Sequence, residues 1–90
     1  MDNTKKVFRE VRADAMLVSS PDLRRYLTGF ASSFGFVYVD AQESILFTDP
    51  RYAEGARTAL KNSFVAVEVA QNEETVLDYI KSKKIKTIAV

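Results

Sequence analysis

Carboxylates are the side chains of this chain best suited to do chemistry, with Asp14, Asp22, Asp40, Glu43, Asp49, Glu68 and Asp78 as the candidates. Asp and Glu alone can hold a pair of hard divalent cations, and such a pair can activate water for attack on a phosphodiester. The other common schemes lose a member at the outset, because the chain has no histidine and no cysteine. That removes the imidazole base, the thiolate nucleophile and the usual nitrogen and sulfur ligands of zinc. Ordinary duties also explain the carboxylates. Asp22 and Asp49 stand at helix starts, Asp40 and Glu43 in a turn, and Asp78 on a helix face. No acid interrupts the first apolar run, Ala15 to Val18, where a two-metal nuclease would want one. A carboxylate-metal nuclease is therefore disfavoured.

Two further features invite a chemical reading. The loop Gly29-Phe30-Ala31-Ser32-Ser33-Phe34-Gly35 is rich in small residues, but it lacks the lysine and hydroxyl pair of a phosphate loop and leads into a strand. It reads as a helix stop followed by a loop whose two phenylalanines either pack back on the core or are presented to a partner. Arg24, Arg25 and Arg51 are the notable cations. Arg51 follows a capped helix start, where a positive charge opposes the helix dipole. It is either solvated, paired with Asp49 or Glu54, or directed at a carboxylate across an interface.

The elements that would position these residues follow from pattern. Residues 4–12 place Val7, Phe8 and Val11 on one helical face, with Asp2 or Asn3 as cap. Ala15-Met16-Leu17-Val18 reads as a strand buried on both faces. Ser20-Pro21 pairs an N-cap with proline at the first helical position, and the helix burying Leu23, Tyr26 and Leu27 stops at Gly29. Phe36–Val39 and Ser44–Thr48 are β-prone runs joined by a short polar turn, hence a hairpin. Asp49-Pro50 repeats the capping device for a helix that buries Ala53, Ala56 and Leu60. Phe64 to Val69 reads as a second central strand. Asn72 caps a helix with Val76, Leu77 and Ile80 as its core stripe, and Thr87 to Val90 is a strand.

The order α-β-α-β-β-α-β-α-β predicts an α/β fold, a three-layer α/β/α sandwich on a mixed five-stranded sheet, parallel except around the hairpin. Ninety residues, 47% of them hydrophobic, make one domain with a modest core. Thirteen basic against twelve acidic residues leave a net charge of +1, too little to draw in nucleic acid or an anionic membrane. The polar start and the lack of a long apolar run predict no signal peptide and no membrane span, with the cytoplasm as the expected compartment. A chain that stops in a strand is expected to be an excised part of a longer polypeptide.

Tyr26-Leu27-Thr28-Gly29-Phe30, approached through Ser20-Pro21-Asp22-Leu23-Arg24-Arg25, and Thr48-Asp49-Pro50-Arg51-Tyr52 further on are the residues of a resemblance. From about Lys5 to Val90 the chain resembles the amino-terminal domain of the creatinase, prolidase and aminopeptidase P family. The resemblance implies a ribonuclease H-like layout for residues 1–90 and a separate carboxy-terminal pita-bread domain that does the chemistry. In that second domain two Asp, one His and two Glu hold two divalent ions, usually manganese, that hydrolyse Xaa-Pro peptides. No cofactor is expected in this chain, and no metal ligand or catalytic residue is carried over to it. The implied role is the non-catalytic one: packing on the chain's own catalytic domain, building a homodimer or tetramer, and placing a loop over the neighbouring subunit's cleft. Phe30, Ser32, Ser33, Phe34, Arg51 and Tyr52 are the candidate residues for that cleft or subunit interface, and proline-containing peptides the implied substrates of the whole protein. The alternative is a peptide- or protein-binding module of a peptidase-like protein that has lost catalysis.

Overall fold

The computed structural model describes residues 3–31 and 34–89. In chain order the elements are α1 (Asn3–Phe8), β1 (Ala15–Val18), α2 (Pro21–Thr28), β2 (Phe36–Asp40), β3 (Ser44–Thr48), α3 (Pro50–Ala59), β4 (Val65–Val69), α4 (Glu73–Ser82) and β5 (Ile88–Ala89). The order is the expected one, and so is the five-stranded mixed sheet. Its strands run β4-β3-β2-β1-β5, with β2 antiparallel to both neighbours and the outer pairs β3·β4 and β1·β5 parallel.

Strand alternation divides the core in two. Met16, Val37, Val39, Leu46 and Val65 face Leu27 of α2 and Ala56 and Leu60 of α3, with Val7 and Phe8 of α1 packed alongside. On the other face Ala15, Tyr38, Ile45 and Phe47 pack against Val76, Tyr79 and Ile80 of α4. Three helices thus cover one side and a single helix the other. Ala53 and Ala56 are buried in α3, and small side chains there let the helix lie close on the sheet.

The expected stripes of two helices need correction. In α2 Leu27 is buried, but Leu23 and Tyr26 are exposed and Arg24 turns inward in their place. In α4 Leu77 is exposed, and the inward stripe is Val76, Tyr79 and Ile80 at i, i+3 and i+4. The segment read as a second central strand is instead the edge strand β4: Val65 is buried, while Ala66, Glu68 and Val69 are exposed. An apolar run records β-propensity, but strand order is decided by which neighbours are already paired. The α1 helix ends at Phe8, short of Arg12, and Asn3 lies inside it, its amide donating to the Tyr26 carbonyl at 3.1 Å. The alternative cap Asp2 and the last strand residue Val90 lie outside the described residues. Among the described residues no helix is long and apolar enough to cross a membrane.

Candidate functional site

Of the candidate residues, Phe34, Arg51 and Tyr52 stand where β3 ends and α3 begins, and Phe30 follows the last turn of α2. Ser20, extended at φ −60° and ψ 127°, starts α2 with Pro21 behind it. The helix stops at Gly29, whose φ of 76° is left-handed and whose N–H donates to the Arg25 carbonyl at 2.7 Å. Thr28 then folds the chain back: its hydroxyl donates to the Arg24 carbonyl at 2.8 Å and accepts from the Phe30 N–H at 3.1 Å.

Two side chains tie the loop that follows to the sheet. Arg24, only 5% exposed, donates through Nη1 to the Ser19 and Gly35 carbonyls, each at 2.7 Å. Burial lowers the pKa of its guanidinium, which nonetheless stays charged far above neutral pH. Thr48, fully buried at the end of β3, donates to the Phe34 carbonyl at 2.8 Å. One residue on, Asp49 caps α3. Its Oδ1 accepts from the Arg51 N–H at 3.0 Å, and its Oδ2 accepts from Arg51 Nε at 3.1 Å and Nη2 at 2.7 Å. The Arg51 hydrogen bonds and charge hold the Asp49 carboxyl below its ordinary pKa, and the same pair raises that of Arg51. The Arg51 guanidinium carbon also stands 5.3 Å from the Tyr52 ring centre.

The two loop phenylalanines go to different places. Phe30 is half-buried and packs on the core beneath α3, with ring atoms 3.9 Å from where a side chain on Gly55 would begin. Phe34 is half-buried and meets Phe36 edge-on, ring centres 5.6 Å apart. Ser32 and Ser33 lie outside the described residues. Of the readings open for Arg51, the ion pair with Asp49 is the one present. Beside the Phe34–Phe36 pair a cleft of about 350 Å³ is lined by Leu17, Val18, Leu23, Phe36 and Glu73.

At the opposite end of the sheet lies a polar cluster that pattern reading missed. Asp40 closes the hairpin as expected, its Oδ1 accepting from the N–H groups of Gln42 and Glu43 at 2.8 Å each. Its Oδ2 also accepts from the Tyr38 hydroxyl at 2.7 Å and pairs with Lys83 at 3.2 Å. Glu43 accepts from Lys83 and from the Tyr79 hydroxyl, and Lys5 reaches the Asp40 carbonyl from α1. Burial pushes the Asp40 carboxyl up, but the bonds from Tyr38, the turn amides and Lys83 outweigh it and hold the carboxyl low. The Lys83 and Tyr79 hydrogen bonds hold Glu43 low, while burial and Glu43 push the Tyr79 hydroxyl up to about 12. The sequence places Asp40 and Glu43 in a turn but gives no sign of the Tyr38, Tyr79 and Lys83 that meet them there.

These arrangements hold backbone and charge in place. Among the described residues no group of three or more carboxylates is placed to hold a metal ion, and no buried side-chain nitrogen or oxygen lacks a partner.

Comparison with known proteins identifies the family. The family model described as the creatinase/prolidase N-terminal domain matches residues 1–90. A Mycoplasma pneumoniae protein whose name assigns it to the Xaa-Pro aminopeptidases is 44% identical over 64 residues, 71% of this chain and 18% of its own length. A Mycoplasma genitalium protein of the same name is 33% identical over 86 residues, 96% of this chain and 24% of its own. The chain thus spans a quarter or less of these relatives. Among solved structures, the N-terminal domain of the cytoplasmic peptidase PepQ from Mycobacterium tuberculosis superposes with a TM-score of 0.75 at 28% identity, over 97% of this chain and 68% of that one. With strand order, loop and capped helix starts accounted for, the chain belongs to the creatinase/prolidase N-terminal domain family.

Proposed function

We propose that this chain is the non-catalytic amino-terminal domain of a metal-dependent Xaa-Pro exopeptidase. In the complete protein it packs against its own carboxy-terminal catalytic domain, which holds two divalent ions, manganese by preference, and supplies the hydroxide that attacks the peptide bond. The amino-terminal domain builds the homodimer or tetramer and sets the 30–35 loop against the neighbouring subunit's cleft, where proline-containing peptides bind. The parent acts in the cytoplasm.

The observation that carries this reading is the way the loop is held. Arg24 and Thr48 fix the Gly35 and Phe34 carbonyls from beneath, so the Phe34–Phe36 pair is presented at the end of the sheet on a rigid base. A half-exposed aromatic on a fixed support can wall a cleft and exclude water from it. None of the polar groups that hold it is available for chemistry. The test is Phe34→Ala in the complete protein. Turnover of an Xaa-Pro peptide should fall while the melting temperature of the 90-residue chain drops by only about 4–8 °C, and the 90-residue chain should show no turnover with manganese. Normal turnover by the Phe34→Ala parent overturns the loop's role, and chelator-sensitive turnover by the purified 90-residue chain overturns the division of labour.

A further inference from the structure

Of the two edges of the sheet, β5 is only two residues long, whereas β4 runs for five and has no neighbour on its outer side among the described residues. Which of its groups face outward follows from the ladder. In a parallel pair, alternate residues of a strand bond to its neighbour. The Ala70 N–H donates to the Thr48 carbonyl at 2.9 Å, so Ala66, Glu68 and Ala70 turn their backbone groups toward β3. Val65, Val67 and Val69 turn theirs outward. The Val65 N–H donates to the Ser63 hydroxyl at 3.0 Å, which leaves the N–H groups of Val67 and Val69 and the carbonyls of all three valines along the edge.

An unpaired edge is a template for a further strand, and this one is symmetric about Val67. Set antiparallel to a copy of itself with a two-fold axis at Val67, the two Val67 residues exchange N–H and carbonyl, and at either end a Val69 N–H meets the other copy's Val65 carbonyl. The Ser63 bond to Val65 need not break. The side chains agree. Val65 and Val67 lie on the α3 side of the sheet, and alternation puts Val69, 40% exposed, on the same side. The axis thus sets Val67 against Val67 and Val65 against Val69, β-branched pairs that favour strand pairing. On the other side Glu68, the one charge of β4, falls opposite the other copy's Ala66; an axis at Glu68 would set like charges together. Lys61 precedes the strand and Glu73 and Glu74 follow it, all exposed, so antiparallel pairing brings the basic end of one copy to the acidic end of the other. Phe64, 76% exposed, comes beside the other copy's Ala70. An unrelated strand would match the backbone alone, whereas a second copy matches backbone, valines and charge together.

We infer that two copies of this chain join through β4 in an antiparallel pair centred on Val67, which makes one continuous sheet of their two five-stranded ones. Five residues a side, against the about 20–30 of a standard interface, make the pairing weak and concentration-dependent in the 90-residue chain. The inference deepens the proposed function by naming a surface, and it rests on that reading in one respect, that copies of the parent assemble.

The experiment follows sedimentation and amide hydrogen exchange of the 90-residue chain from micromolar to millimolar concentration. Sedimentation should show a monomer–dimer equilibrium. As concentration rises the Val67 and Val69 amides should slow, while those of Ala66 and Glu68, already bonded to β3, change least. Ala66→Glu sets a carboxylate opposite the other copy's Glu68 on both sides of the axis and should weaken the dimer about two- to thirtyfold, the effect of two cross-strand pairs. Adding Glu68→Lys makes each pair attractive and should restore it, with far-ultraviolet circular dichroism unchanged in both variants. A strict monomer at millimolar concentration would overturn the inference, as would a dimer whose Val67 and Val69 amides stay unprotected, one indifferent to Ala66→Glu, or one that Glu68→Lys does not rescue. In the complete protein Ala66→Glu should speed exchange across residues 65–69; protection there that ignores the substitution would assign the edge to another segment and overturn the inference too. A parent that assembles while this chain stays monomeric counts against the β4 pair alone, whereas a strictly monomeric parent overturns the proposed assembly role whatever the 90-residue chain does.

Discussion

Replacing Arg24 by Met tests whether the loop is held from within. Met keeps most of the aliphatic stem's volume and removes the guanidinium. The bonds lost include those from Nη1 to the Ser19 and Gly35 carbonyls, both 2.7 Å and both charge-assisted. Their carbonyls fare differently. Ser19 is exposed, so water replaces the lost donor; Gly35 is buried, so its carbonyl is left unsatisfied. An orphaned buried acceptor costs about 1–3 kcal/mol, and the Ser19 bond adds about 1. Relief of the guanidinium's desolvation offsets part of this. The expected net loss is about 2–3 kcal/mol, which for a domain of this size lowers the melting temperature by about 10–20 °C. Urea melts give the free energy, and amide hydrogen exchange locates it: the amides of residues 34–36 should exchange faster in the variant. Arg24→Lys, which keeps the charge on a shorter side chain that ends before the Nη1 position, should fall between. A loss below about 0.5 kcal/mol for Arg24→Met, the ordinary effect of a surface change, would refute the clamp, as would unchanged exchange in the loop.

Acid should expose the other polar cluster. Asp40 and Glu43 are held below their ordinary range when folded, so in acid the unfolded chain binds more protons and stability rises with pH. The contribution is complete above the unfolded carboxylate values of about 3.9–4.3 and is lost as pH falls through the lower folded ones. Lys83→Met should flatten urea-melt stability between about pH 5 and pH 3, and parallel profiles for wild type and variant would refute the coupling. Phe30→Ala should cost about 2–3 kcal/mol, less than a fully buried Phe, and Phe34→Ala about 1 for its edge-on contact with Phe36; thermal melts in the reverse order would exchange the two residues' roles.

What could be read from the sequence was what depends on neighbours a few residues away. The caps at Ser20, Asp49 and Asn72 each bond an N–H two or three residues on, so residue type and spacing sufficed. The hairpin turn at Asp40 is as local. The misread features all depend on distant partners. Arg24 was noted only as a cation, because periodicity assigns the inward face of α2 to its apolar neighbours, whereas its carbonyl acceptor at Gly35 lies eleven residues away across the loop. Lys83 meets Glu43 forty residues back in the chain, a pairing no window of local pattern contains. Phe64 to Val69 carries the composition of a central strand, yet the sheet's order leaves it at an edge. The Phe30 and Phe34 alternatives were open for the same reason, since nothing nearby in sequence tells which face of the sheet each ring will meet.

Arg51 shows how local chemistry limits a functional expectation. Its position at the start of α3 sets its charge against the helix dipole, an arrangement that suggested a partner elsewhere. The structure supplies the compensation on the spot: Asp49 accepts two guanidinium bonds through Oδ2 while its Oδ1 caps the helix. One carboxylate thus neutralises the cation and satisfies the helix start. A carboxylate arriving from another subunit would have to compete with a partner held two residues away by the backbone itself, whose effective concentration is far higher than that of any docking group. In the proposed interface Arg51 would therefore act as a fixed surface, its guanidinium aligned by Asp49 and standing over Tyr52, rather than as a free charge. Contacts proposed there would gain from order already present in the domain, the same advantage that Arg24 and Thr48 would confer on Phe34 in the proposed loop role.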